Sequence, residues 1–221
     1  MKLLVNAILK FFCGLLLVGG LVFLPAGTVN YFNGWWLIGI LFIPMLVLGT
    51  VLFCKTPDLL KKRLDMKEKE KVQKGVVALS ALLFIICFVV AGLDFRFAWS
   101  SVPLWCSVIA AVVLLLSYLL YAEVMRENAY LSRTVKIEEN QKLIDTGLYS
   151  VVRHPMYTSS VLMFLSMPII LGSWISFLLF LHYPIIIIVR IVNEEKLLEK
   201  ELEGYTEYKQ KVKYRLIPFI W

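Results

Sequence analysis

The sequence predicts an all-α fold, a polytopic integral membrane helical bundle of five to six spans with a C-terminal helical hairpin and an amphipathic cytoplasmic helix. Three observations predict it. The 221 residues are 60% hydrophobic and only 18% charged, more apolar side chain than one soluble core of this size uses. Charged residues are absent from four long stretches, residues 11–54, 75–93, 97–122 and 155–189. Finally, 22 of the 23 lysines and arginines fall in segments that a six-span chain collects on one side, leaving Arg96 alone on the other.

A hydrocarbon core about 30 Å thick takes roughly 20 apolar helical residues, so the first charge-free stretch holds two spans. They turn near the sequence NYFNG at residues 30–34. The next two stretches hold one span each, near residues 76–94 and 102–122, joined by a short turn with Ser100, Ser101 and Pro103. The last stretch breaks at Gly172-Ser173 and reads as a hairpin of two short or tilted spans. After it, NEEKLLEKELEG is an amphipathic helix with Leu197, Leu198 and Leu202 at helical spacing, stopped at Gly204. A basic tail rich in tyrosine follows.

The lysine and arginine count makes the crowded side the cytoplasm, with both termini and the polar C-terminal segments there. Such a topology suits the plasma membrane of a prokaryote. The run KKRLDMKEKEKVQK, interrupted by Asp65, Glu68 and Glu70, reads as a solvated loop with some attraction to anionic lipid. A cleaved signal peptide is the alternative for the first span, but no small-residue cleavage site follows Leu24-Pro25. Cys13, Cys54, Cys87 and Cys106 lie in or beside apolar segments without CxxC spacing and read as buried hydrophobes. With two histidines far apart in sequence, His154 and His182, no metal site is expected, and nothing points to nucleic acid.

Chemistry concentrates in the second half. Residues 1–122 form an apolar four-span bundle, whereas residues 123–221 carry a polar connection, the hairpin and the tail. The segment GLYSVVRHPMY, residues 147–157, brings Tyr149, Arg153, His154, Pro155 and Tyr157 to the start of the hairpin, with Pro155 suited to a helix start. Arg190, Asn193, Glu194 and Glu195 stand where the hairpin returns. A hairpin brings its two ends together, so cations and two adjacent carboxylates meet at the lipid–water boundary, where ionisable groups are candidates for function.

The order of LIDTGLYSVVRHPMY, an apolar hairpin, EEKLL, GYTEYKQKV and a terminal R-x-x-P resembles the isoprenylcysteine carboxyl methyltransferase family and its phospholipid methyltransferase relatives, over about residues 141–218. The resemblance implies an integral membrane enzyme that uses S-adenosylmethionine, with Arg153, His154, Pro155 and Tyr157 lining the cofactor pocket, and Glu194 and Glu195 nearby. One departure stands out: the family has Gly two residues after the motif's tyrosine, where this chain has Ser159.

The residues themselves suit that cofactor. Its sulfonium and ammonium call for a carboxylate, Glu194 or Glu195, and its carboxylate calls for a fixed donor, Arg153 or His154. Tyr149 and Tyr157 fit the pocket wall or an aromatic belt equally. As catalytic residues the pattern offers Arg190, to orient an acceptor carboxylate, and Glu195, to take a proton from an acceptor amine. The expected acceptor is lipidic, an isoprenylcysteine-like carboxylate first and a phosphatidylethanolamine-type amine second. A transporter or assembly protein is the non-enzymatic alternative, but the spans carry almost no polar group at mid-membrane apart from His182.

Overall fold

The computed structural model describes residues 1–65, 68, 70–134, 137 and 141–221. Met66, Lys67 and Lys69 of the basic run, and most of residues 135–140 in the polar connection, lie outside these. Among the described residues the chain is helical without strands: α1 (Lys2–Ala26), α2 (Phe32–Lys55), α3 (Pro57–Leu64), α4 (Lys71–Phe97), α5 (Leu104–Glu127), α6 (Pro155–Ile170), α7 (Trp174–Phe180), α8 (Tyr183–Glu201) and α9 (Tyr205–Lys211).

Among the described residues, five helical stretches are long and apolar enough to cross a bilayer: α1, α2, α4, α5 and the nearly continuous α7–α8. The sixth apolar helix, α6, has 16 residues, about 24 Å at 1.5 Å per residue, and is shorter than the hydrocarbon core. It is one arm of the expected hairpin, and Gly172 in the left-handed conformation turns the chain into α7. The sequence places the first turn slightly late. α2 already begins at Phe32, so Asn33 and Gly34 are helical, and Gly27 makes the left-handed cap that ends α1. Two helices escape the sequence pattern. α3 is a two-turn polar helix started by Pro57, and the expected separate amphipathic helix is instead the continuation of α8, whose register never breaks between Val189 and Glu201.

α4 is the hub, packed against α1, α6, α7 and α8, while α5 lies along α6. The α1–α4 contact is close because Gly92 lacks a side chain: a Cβ there would stand 2.6 Å from the Val22 carbonyl oxygen. One core joins Val22, Leu37, Phe88, Leu114 and Met167. A second joins Tyr157, Val161, Phe180, Ile187, Ile191 and Leu216 and ties the hairpin to the tail. The outward faces of α1, α2 and α5 stay apolar, as with Leu16, Leu24, Ile43 and Leu119, which suits contact with lipid.

The hairpin tip is locked by polar groups. Buried Asp94 accepts from the Ser100 backbone N–H at 2.7 Å, from Ser100 Oγ at 2.6 Å and from Ser173 Oγ. Tyr31 donates to the Leu171 carbonyl, and Asn33 Nδ2 to the Ile170 carbonyl at 2.8 Å. The α1–α2 turn and the α4–α5 turn are thus both fastened to the α6–α7 turn, and the open end of the hairpin is placed at the opposite face.

Candidate functional site

The site begins with a turn. The Glu127 carboxylate, at the end of α5, accepts from the Leu148 N–H at 3.0 and 3.2 Å. Gly147 must pass beside it with φ +57°, and a Cβ there would come within 1.8 Å of Glu127 Oε1. Only glycine meets both demands. The following 3-10 turn, Gly147–Ser150, buries Tyr149, whose hydroxyl accepts from Asn128 Nδ2 at 3.0 Å and whose carbonyl accepts from Tyr208 Oη at 2.6 Å. Burial pushes the Tyr149 phenol up to about 12, so it is a neutral hydrogen-bonding group at physiological pH.

The chain then clasps the tail. The Arg153 and His154 N–H groups donate to the Tyr214 and Arg215 carbonyls, both at 2.9 Å. Pro155 opens α6 directly after, with His154 as its N-cap residue. The Arg153 guanidinium and the His154 imidazole point at one carboxylate in the polar last turns of α8, past the charge-free run. Glu195 Oε1 accepts from Arg153 Nε at 2.7 Å and lies 3.2 Å from His154 Nε2. Its Oε2 accepts from Arg215 Nε at 2.8 Å, and the Tyr205 hydroxyl approaches at 3.5 Å. Glu195 is 2% exposed. Burial alone would raise its pKa, but the hydrogen bonds from His154, Arg153 and Arg215 outweigh it and hold the carboxyl well below the usual carboxylate range. Arg153 Nη1 also donates to the Val212 and Lys213 carbonyls at 2.7 and 3.0 Å.

Glu194, its neighbour, points elsewhere. The Tyr157 hydroxyl donates to Glu194 and accepts from Arg190 Nε at 2.8 Å, so it bridges an anion and a cation. Arg190 Nη2 donates to the Arg133 carbonyl at 2.9 Å and stands 3.9 Å from the Glu68 carboxylate.

Two adjoining cavities meet at this bridge. The first, about 100 Å³, is lined by Tyr149, Arg153, His154, Pro155, Tyr157 and Glu194, with Lys142, Tyr205 and Tyr208 completing the wall. The second, about 80 Å³, shares Met156, Tyr157, Glu194 and Leu198 and adds Arg190, Leu197 and Thr134. Tyr149, Arg153, His154, Pro155, Tyr157, Arg190 and Glu194 therefore come to one place, whereas Asn193 donates to Glu70 and Glu195 lines neither cavity and sits behind the first as the anchor of Arg153, His154 and Arg215. The sequence reasoning missed Asn128, Glu127, Lys142 and the role of Arg215. For Arg215 a signal existed, the R-x-x-P pattern of the tail.

Comparison with known proteins follows this geometry. A family model described as phospholipid methyltransferase matches residues 105–203. The match starts earlier than the sequence motifs suggested, taking in α5, and it ends before the tail. The matched stretch contains Tyr149, Arg153, His154, Tyr157, Arg190, Glu194 and Glu195, whereas Tyr205, Tyr208 and Arg215 lie beyond it. The Delta(14)-sterol reductase of Mus musculus is 28% identical over 91 residues, which are 40% of this chain and 22% of that protein. The chain thus spans about a fifth of the length of that relative. The solved structure of a eukaryotic intramembrane Ras methyltransferase, isoprenylcysteine carboxyl methyltransferase, covers all of this chain and 88% of its own, at 20% identity and a TM-score of 0.48.

Proposed function

We propose that this chain is a membrane methyltransferase that uses S-adenosylmethionine and methylates the head group of a lipidic acceptor, a carboxylate of the isoprenylcysteine type. The observation that carries the reading is the pair of cavities meeting at Tyr157 and Glu194. The first has the donor set the cofactor needs: the Glu194 carboxylate for positive charge, tyrosine faces from Tyr149, Tyr205 and Tyr208 for a sulfonium, and Lys142 for a carboxylate. The two cavities together are smaller than pockets for ligands of this size, typically about 300–1,000 Å³. The wall at residues 141–144 carries no regular secondary structure and is the part that gives way on binding.

The cofactor supplies an electrophilic methyl group. The protein's part is alignment and exclusion of water, which account for much of the barrier in a displacement of this kind. Tyr157 and Glu194 fix the floor between the cavities, and Arg190 in the second cavity orients an acceptor anion. Glu195 supports a carboxylate acceptor over an amine. An ammonium must lose a proton before it attacks, and the carboxylate that sequence reasoning offered as base is already committed to two guanidinium groups and an imidazole. Glu195 is in this reading a positioning residue.

The test is methyl transfer from labelled S-adenosylmethionine by protein in detergent, to a prenylcysteine analogue and to phosphatidylethanolamine, with calorimetry of cofactor binding alongside. Methylation of the prenylcysteine analogue is expected. Arg190→Lys, which keeps the charge and loses the fork, lowers it by about 1.5–3 kcal/mol of transition-state stabilisation, the value of a charge-assisted hydrogen bond. Transfer to phosphatidylethanolamine alone, unaffected by Arg190→Lys, would reject the carboxylate. The reductase match supports a second reading, hydride transfer in the same cavity. Binding of a reduced nicotinamide cofactor without binding of S-adenosylmethionine would establish that one instead.

We further place both termini and this site on the cytoplasmic side, because Arg96 alone stands opposite the other basic residues. A reporter fused at Trp221 then reads cytoplasm and one inserted in the turn at residues 98–103 reads the exterior; the reverse outcome would invert the topology.

A further inference from the structure

The tail beyond α9 carries chemistry that methyl transfer does not use. Residues 216–221 close a tight loop, with the Leu216 and Ile217 N–H groups donating to the Trp221 carbonyl at 2.8 and 3.0 Å and the Trp221 N–H returning to the Ile217 carbonyl at 3.1 Å. Phe219 holds φ 66°, a left-handed conformation that a bulky residue adopts only when its surroundings impose it. Its ring is nonetheless 87% exposed, beside Ile220 at 76% and Ile217 at 43%. An apolar tip is being presented outward.

The depth of that tip is fixed. Thr158, in the first turn of α6, donates from Oγ1 to the Leu216 carbonyl at 2.6 Å, and the His154 N–H holds the Arg215 carbonyl. The loop therefore lies level with the start of an apolar helix, at the edge of the hydrocarbon. Beside it opens a cleft of about 500 Å³ lined by Lys209, Lys213, Tyr214, Arg215 and Trp221, with Arg153 at its base. No aspartate or glutamate side chain lines it. Arg215 is held rigid between Glu195 and the Trp221 ring, 5.0 Å away. Lys213 is exposed and has no ion-pair partner among the described residues, whereas Lys209 is paired with Glu199.

Cations above exposed apolar side chains, at one depth, match the layering of a phospholipid: phosphate outside, acyl chain inside. We propose that the cleft formed by Lys209, Lys213 and Arg215 binds the phosphate head group of an anionic phospholipid in the same leaflet, while Ile217, Phe219 and Ile220 enter its acyl region. A neutral zwitterionic lipid offers the cleft no net charge, so selectivity follows chiefly from Lys213, which has no ion-pair partner among the described residues. Apart from Arg153, the cleft shares no lining residue with the two catalytic-side cavities, and the proposal stands whether or not the chain transfers methyl groups.

The experiment uses the full chain in phosphatidylcholine vesicles containing a photoactivatable phosphatidylglycerol, with cross-links mapped by mass spectrometry. Residues 209–221 are expected to be labelled, and unlabelled phosphatidylglycerol but not added phosphatidylcholine displaces the label. Lys209→Gln with Lys213→Gln lowers labelling about twentyfold, roughly fivefold for each lysine lost at an anionic surface. Phe219→Ser also lowers it. Labelling of lipid-facing α1 stays constant in both variants and reports an intact bundle. Equal labelling by a photoactivatable phosphatidylcholine, no response to the lysine replacements, or displacement by inorganic phosphate alone would each overturn the proposal.

Discussion

A buried carboxylate stands at each end of the α6–α8 hairpin. At the tip, Asp94 is met by two serine hydroxyls and a backbone N–H. At the open end, Glu195 is met by two guanidinium groups, an imidazole and a phenol. Neutral donors make a staple that joins the α4–α5 turn to the α6–α7 turn, and Asp94 lines neither cavity of the candidate site. Charged donors make a framework that sets the backbone of the RHP motif and the tail, with open space directly in front of it. The difference teaches that a buried carboxylate is countered by charged donors where it sets the wall of a cavity and by neutral dipoles where it holds helix turns together.

The comparison is broken most severely at Glu195. Glu195→Gln leaves Arg153 and Arg215 facing a neutral amide, and removal of one partner from a buried charge cluster costs about 3–5 kcal/mol; thermal unfolding in detergent should show a large loss with both cavities affected. The same carboxyl gives the wild type an acid limb. Its pKa is depressed in the folded protein, so its contribution is fully present above the unfolded value near 4.3 and is lost as pH falls further toward the folded value. Unfolding temperatures measured from pH 7 downward should hold until about pH 4 and then drop, and Glu195→Gln should flatten that drop.

Glu194 tests the other half of the contrast. Glu194→Gln keeps the shape and removes the charge facing the cavity, which should weaken S-adenosylmethionine binding by about 1.5–3 kcal/mol while the unfolding temperature stays close to wild type. Calorimetry beside a thermal melt checks it, and unchanged affinity would remove Glu194 from the cofactor. Asp94→Asn should cost about 1–3 kcal/mol of stability, since its amide nitrogen cannot accept from the serines. Cofactor affinity in that variant is expected to be unchanged, because the tip lies at the opposite face. The smallest effect belongs to Ser159. Its hydroxyl is spent on the Met156 carbonyl at 2.8 Å and the residue is fully buried away from both cavities, so Ser159→Gly should cost about 0.5–1 kcal/mol as a helix-interior glycine and leave turnover unchanged.

How far the sequence discloses these roles depends on the kind of information each needs. Charge-free stretches locate the spans, because hydrocarbon excludes charge whatever the tertiary packing. The hairpin brings Arg153 and Glu195 together because a break at Gly172 between two apolar runs leaves little else to happen. The division of labour between Glu194 and Glu195 is different. Adjacent helical residues point about 100° apart, and which one turns inward depends on the rotation of α8 against α4 and α6, which composition does not encode. Arg215, Asn128 and Glu127 are remote in sequence from the motif they support, and α3 has too few residues to display a period.

The Tyr157 hydroxyl has a single proton and directs it to Glu194 while receiving one from Arg190. A cation that neutralises Glu194 competes for that proton's acceptor, and an anion drawn to Arg190 competes for its donor. Each ligand therefore loosens one side of the same hydrogen-bonded chain and alters what the other ligand finds. Such linkage is reciprocal: the factor by which one occupant changes the affinity of the second is the factor returned. Titrating S-adenosylmethionine with and without a saturating prenylcysteine analogue measures that factor, and Tyr157→Phe, which removes the shared hydroxyl, should bring it to one.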